Sequence, residues 1–219
     1  MPLTKQTAFD MSKTLVIGAT GKIGKILIRL LAQNTIPTKA LVRDRQKCDF
    51  PSSVEIVEGD LESGIETTME DCSTVIFTAG SGAKTGFDKT LLVDLWGARQ
   101  AIEAAKISRI QHFIMISSRG AGDPDPGPER IKPYLVAKHF ADKYLAESGL
   151  NYTILRPGRL TDDIGNKRIR TDRPEDPNKQ FISREDTAHT ILHCLKNNTV
   201  VGKTYELFEG SDSIEDLIV

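Results

Sequence analysis

Short, almost unbroken apolar runs recur along this chain, separated by segments whose apolar residues return every three or four positions. The runs are TLVIG (14–18), TKALV (38–42), Val54–Val57, TVIFT (74–78), QHFIMIS (111–117), Tyr152–Arg156 and Thr204–Phe208. The helical-period segments include Lys22–Gln33, with Ile23, Ile26, Leu27, Leu30 and Leu31, then Asp88–Lys106, Pro133–Ser148 and Arg184–Leu195. A strand with no polar face must be covered on both sides, and alternating helices provide that cover. The expected fold is therefore α/β: a doubly wound parallel sheet in three layers, with a small substrate-side region towards the C-terminus. Residues 1–13 read as a flexible lead and 14–219 as one domain. Two polar stretches, Gly120–Lys132 and 159–181, follow strands at their carboxyl ends, where open α/β sheets place ligand loops.

Composition narrows the function. Lys and Arg number 29 against 30 Asp and Glu, for a net charge of −1, so no global field draws the chain to nucleic acid or anionic lipid. The apolar runs are far shorter than a membrane span. The opening MPLTKQTAFDMSK lacks the apolar core of a signal peptide. Cys48, Cys72 and Cys194 are odd in number, far apart and without a CxxC, which fits a cytoplasmic protein without a zinc site or disulfide framework.

Gly18, Gly21 and Gly24 form a G-x-x-G-x-x-G turn between the first strand and the first helix. A dinucleotide pyrophosphate needs close backbone approach, free N–H groups and a helix N-terminus, and glycines permit all three. No GK[ST] follows at Walker spacing. The second strand ends in Leu41-Val42-Arg43-Asp44, with Arg43 where NAD-binding chains carry an acid. A guanidinium there suits a 2′-phosphate and favours NADP over NAD. Asp44, turned inward, is the rival that would favour NAD. Asp60 and Leu61 after the third strand, and Ala79 and Gly80 after the fourth, fit the adenosine side of the same groove.

Tyr134 and Lys138 are four apart on a helix, hence on one face. Bringing a phenol from a pKa near ~10 towards neutrality takes roughly 4 kcal/mol of preferential phenolate stabilisation. A nearby ammonium and an oxidised nicotinamide supply that kind of field. Tyr134 would then exchange a proton with a carbonyl or alcohol oxygen. Ser117 and Ser118 end the fifth strand at the same edge; either can fix that oxygen, and Ser118 is preferred. In the competing reading Tyr134 only packs and Lys138 only binds ribose.

Taken together, TLVIGATGKIG (14–24), LVRD (41–44), EGDL (58–61), FTAGSG (77–82), HFIMISS (112–118), YLVAKHFADKYLAESGLNYTILRPG (134–158) and ISREDTA (182–188) resemble the short-chain dehydrogenase/reductase superfamily. The likeness is to its atypical NAD(P)H-binding, epimerase/dehydratase-like branch. It implies a Rossmann-like fold. It implies cofactor contacts at Gly18, Thr20, Gly21, Lys22, Ile23, Gly24, Arg43, Asp60, Leu61, Ala79, Gly80, Ser117, Tyr134, Lys138, Pro157 and Gly158, and a catalytic set of Ser118, Tyr134 and Lys138. The expected activity is NADP-dependent oxidation or reduction of a small carbonyl or alcohol. The alternative is a non-catalytic NADP(H)-binding sensor or assembly protein. The turn departs from the GxxxGxG of conventional members, and the chain is too short for the substrate lobe of a sugar-nucleotide epimerase. Trp96, with Leu91, Leu92, Leu95 and Ile102, reads as core packing, with a homodimer face as the alternative. His189 and His193 have metal-ligand spacing but no third ligand, so no metal is expected. Ser183 reads as a helix N-cap.

Overall fold

A computed structural model describes residues 12–62, 64–82 and 85–219. Its strands are β1 (Lys13–Ile17), β2 (Thr38–Val42), β3 (Val54–Glu58), β4 (Cys72–Phe77), β5 (His112–Ile116), β6 (Tyr152–Pro157), β7 (Arg159–Thr161), β8 (Arg168–Arg170), β9 (Phe181–Ser183), β10 (Lys203–Glu209) and β11 (Asp212–Ser213). The helices are α1 (Lys22–Gln33), α2 (Phe87–Lys89), α3 (Ala98–Ile107), α4 (Lys132–Ala146), α5 (Arg184–Lys196) and α6 (Ile214–Leu217). A π-helical stretch, Thr90–Gly97, joins α2 to α3. Most of the expected lead falls on residues 1–11, outside the described residues, and Lys13 already belongs to β1.

Among the described residues the main sheet runs β11-β8-β10-β6-β5-β4-β1-β2-β3. From β3 to β10 every pairing is parallel. Strand order reverses between β1 and β4, which opens a crevice at their carboxyl ends. Side chains alternate as the apolar runs require. Val16, Ile76 and Ile114 face a layer built on Leu27 and Leu31 of α1 and Ile191 of α5. Leu15, Ile17, Val75, Phe77 and Phe113 face Ala101 and Ile102 of α3 and Ala141 and Leu145 of α4. The result is the Rossmann-like three-layer arrangement.

Three expectations need correction. The stretch 159–181 is not one loop: β7 pairs with β9, and β8 pairs antiparallel with β10 and β11. These strands were too short and too charged to show a period. The helix expected over Asp88–Lys106 contains the π stretch. Finally, Leu91, Leu92 and Trp96 are exposed rather than packed in the core. Ser183 does cap α5, accepting from the Asp186 N–H. All three cysteines are free, and burial pushes the Cys194 thiol up to about 12. Among the described residues no helix is long and apolar enough to cross a membrane.

His112 is buried on β5 with Nε2 2.9 Å from Thr153 Oγ1. Burial lowers its pKa from 6.5 to about 4. The unfolded chain therefore binds this proton first, so stability is full above pH 6.5 and falls as the pH drops towards 4. At about 1.4 kcal/mol per pH unit the loss approaches about 3 kcal/mol. Urea unfolding across this range should show that slope, and His112→Gln should flatten it; an unchanged slope in the variant would refute the assignment.

Candidate nucleotide-binding and catalytic site

A cavity of about 390 Å³ occupies the crevice at the carboxyl ends of β1, β2 and β4. It is lined by eight of the expected cofactor residues: Gly18, Thr20, Gly21, Arg43, Asp60, Leu61, Ala79 and Gly80. Thr78, Ser81, Thr85, Lys89 and Val93 complete the wall towards the helical run. A second, shallower concavity of about 600 Å³ lies along edge strand β3 and includes none of the expected site residues.

The glycine turn is shaped by contact. Gly18 has φ +86°, and a Cβ there would lie 2.6 Å from the Ala79 backbone nitrogen. A Cβ on Gly24 would lie 2.2 Å from the Gly18 carbonyl oxygen, so the helix can approach the strand only without a side chain. Gly21 is the N-cap of α1, with no side chain accepting from the helix's first N–H groups. Those donors point at the crevice with the positive end of the helix dipole. The Ile23 side chain sits in the core, so toward the crevice this position has only its backbone to offer. Lys22 points elsewhere: its Nζ is 2.6 Å from Asp162, which also pairs with Arg184.

At the end of β2, Asp44 is taken. Its carboxylate accepts from the Gln46 N–H and pairs with Lys47, which holds its pKa below the usual carboxylate range. Arg43 is exposed on the cavity wall, and among the described residues no hydrogen bond or ion pair engages its guanidinium. The Asp60 carboxylate accepts from the Glu62 N–H, shaping the turn beneath the cavity.

The expected chemical residues lie beyond this cavity's walls, on β5 and α4. Ser118 is half-buried and donates to the Arg119 carbonyl at 3.2 Å. Ser117 is buried, with its Oγ facing the Asp142 carboxylate. Arg156 Nε binds that Asp142 carboxylate at 2.9 Å, yet burial still pushes its pKa up against the pull of Ser117 and Arg156. Ser118 is thus the more accessible of the two serines. Tyr134 is half-buried one turn before Lys138, which is 2 % exposed. Lys138 Nζ stands 3.8 Å from Oδ1 of Asp94, itself fully buried. Asp94 Oδ2 accepts from both the N–H and the Oγ of Ser81, while Oδ1 has no hydrogen bond. Removing either charge of such a pair strands the other away from water.

Pro157 ends β6. Gly158 is tight against the protein itself: a Cβ would lie 2.7 Å from the Gln180 carbonyl oxygen. Its missing side chain therefore serves strand packing. His139 Nδ1 is 2.7 Å from the Ala121 carbonyl and ties α4 to the loop after β5. His193 Nε2 lies 2.8 Å from the Ile218 carbonyl. Asp94 and Ser81 had escaped sequence reasoning, although Asp94 is the one charge within TLLVDLWG and so was a visible anomaly.

Residues 18–198 match the family described as NAD(P)H-binding. A Bacillus subtilis protein named as an uncharacterized sugar epimerase, YhfK, is 42% identical over 212 residues, covering 94% of this chain and 98% of its own. The structure titled a putative NAD-dependent epimerase/dehydratase from Bacillus halodurans superposes with TM-score 0.88 at 36% identity, over 94% of this chain and 97% of that one. The oxidoreductase ylbE from Lactococcus lactis gives TM-score 0.85 at 27% identity, over 94% of each chain. With most of its length matched, the chain belongs to the NAD(P)H-binding family, among Rossmann-fold proteins of oxidoreductase and epimerase type.

Proposed function

We propose that this chain is an NADPH-dependent oxidoreductase acting on a small carbonyl or alcohol, with Ser118, Tyr134 and Lys138 as its reacting set. The observation that carries the reading is the buried Lys138 ammonium, held against Asp94 one helical turn from Tyr134. A lysine needed only for solubility would not be buried, since burial of a charge is unfavourable unless it is paired and used. The uncapped α1 N-terminus and the cradle formed by Gly18 and Gly24 fit a pyrophosphate.

A bound nicotinamide supplies the hydride transfer. The remaining tasks fall to the chain. Ser118 donates a hydrogen bond that fixes the substrate oxygen. The Tyr134 phenol gives or takes the proton at that oxygen, and the Lys138 ammonium favours its phenolate. Asp94 holds the ammonium from behind. The test is NADPH oxidation over a panel of small aldehydes and ketones, with Tyr134→Phe as the control. An activity that survives in the variant overturns the mechanism. One observation favours the non-catalytic reading: the Asp94 pair gives Lys138 a structural task of its own. Tight NADPH binding with no turnover on any panel member would select that reading.

The preference for the phosphorylated cofactor rests on Arg43. Arg43→Ala should weaken NADPH binding about tenfold or more, the scale of a charge-assisted pair. NADH binding should hardly change, and isothermal titration with both cofactors reads the difference. Equal losses for both would return the assignment to NAD.

We also propose self-association through the helical run. Phe87, Leu91, Leu92 and Trp96 are exposed there, and so is Phe140 on the neighbouring α4. Large apolar side chains exposed on neighbouring elements are a mark of contact faces. Sedimentation equilibrium should report a dimer for the wild type and a monomer for Trp96→Glu. A monomeric wild type would end the proposal.

A further inference from the structure

Two arginines from separate segments meet at Gln180, Arg119 through its guanidinium and Arg159 through its backbone, and a third, Arg173, lies close enough for its charge to act on Arg119. Arg119 directly follows Ser118, and its N–H donates to the Pro157 carbonyl at 3.0 Å. Its Nη1 donates to Gln180 Oε1 at 2.6 Å. Arg159 at the start of β7 donates its N–H to the Gln180 carbonyl at 2.9 Å, and its guanidinium lies over the Phe181 ring at 5.9 Å. Arg173 completes the group and pairs with Glu206. Among the described residues that carboxylate is the acid acting on Arg119, against two guanidiniums that repel it. The group therefore carries an excess of about two positive charges. Burial, then the charges of Arg173 and Arg159, pull the Arg119 pKa below its usual value. By contrast, the neighbouring basic residues are neutralised or tied to backbone: Arg170 pairs with Asp172, and Arg168 donates to the Ser211 carbonyl.

Arg119 is half-buried while Arg159 and Arg173 are exposed. Neighbouring cations with too few acids are stabilised by an arriving anion, and guanidiniums match the planar fork of a carboxylate or the oxygens of a phosphate. We infer that Arg119, Arg159 and Arg173 form a subsite for an oxyanion on the substrate, so that the reactive carbonyl compound is a carboxylate or a phosphate ester. The inference rests on the reading above only in placing the reacting oxygen beside Ser118; the anion site itself does not require turnover.

The experiment compares three aldehydes of similar size binding to the NADP+-loaded protein by calorimetry: 4-carboxybenzaldehyde, 4-formylphenyl phosphate and the neutral methyl 4-formylbenzoate. At least one anionic probe should bind about tenfold or more tightly than the ester, the range of one good charge-assisted contact. Which of the two binds better decides between carboxylate and phosphate. Arg119→Gln should remove most of that preference while leaving ester affinity unchanged, and Arg168→Gln should leave the preference intact. Anion-selective binding, with no NADPH oxidation when the same aldehydes are offered with NADPH, would sustain the subsite and sink the oxidoreductase reading. Equal affinities for all three probes, or a preference that survives in the Arg119→Gln, Arg159→Gln double variant, would overturn the subsite whatever the turnover.

Discussion

Tyr134→Phe should bind NADPH as the wild type does and lose turnover by about 10²–10⁴-fold, the usual contribution of a positioned general acid. The substitution removes one hydroxyl from a half-buried ring whose oxygen makes no hydrogen bond among the described residues. Folding therefore has little to lose, and thermal denaturation should confirm an unchanged midpoint. Single-turnover measurements separate proton transfer from product release: the deficit should lie in the hydride step. A kcat within about threefold of the wild type, when one general acid is worth at least about 10²-fold, would mean that another group handles the proton. The Lys138 variant is a poorer probe, because it leaves Asp94 buried without a counter-charge and mixes stability with chemistry.

The second large effect falls on the fold. Gly24→Ala adds one methyl group where the Gly18 carbonyl oxygen is 2.2 Å and the Ala19 Cα 2.8 Å away. Neither is a side chain that can swing aside, so α1 must lift off β1. We expect a loss of about 3 kcal/mol, at the upper end of overpacking. For a chain of this size that lowers Tm by roughly 6–12 °C. Gly202→Ala is the comparison: Gly202 has φ +79° but nothing within 4 Å of the added Cβ. It should cost only about 1–2 kcal/mol of backbone strain. Circular-dichroism melting of both variants checks the ranking. A smaller effect at Gly24 than at Gly202 would show that the turn is looser than its contacts imply.

Much of this was legible in the sequence, for a physical reason. A parallel strand buried on both faces announces itself as an apolar run, so TLVIG and TKALV mapped onto β1 and β2 with little error. Helix α1 is amphipathic and preceded by glycine, and its ends agree. The residues expected around a dinucleotide could be read because close backbone approach demands glycine, and eight of them line one cavity. Short edge strands were not readable: β8 and β11 have two or three residues each and are held by neighbours rather than by their own pattern. Nor was the contact between Asp94 and Lys138, which depends on how two helices pack 44 residues apart. The exposure of Leu91, Leu92 and Trp96 was misjudged because an apolar helical face looks the same whether a core or another surface covers it.

A π stretch widens the helix and is commonly the mark of a single extra residue accommodated within an α-helix. Removing one residue from Thr90–Gly97 would let the turn relax to α geometry with the flanking turns still in register, so the change would fall on the residues inside the stretch. The same relaxation would turn Asp94 away from Ser81 or swing Leu91 and Leu92 off the exposed face. The charged interior and the apolar exterior of this element are thus set by the same count of residues. A chain of this type that lost the extra residue would have to redesign its lysine environment and its outer surface in one step.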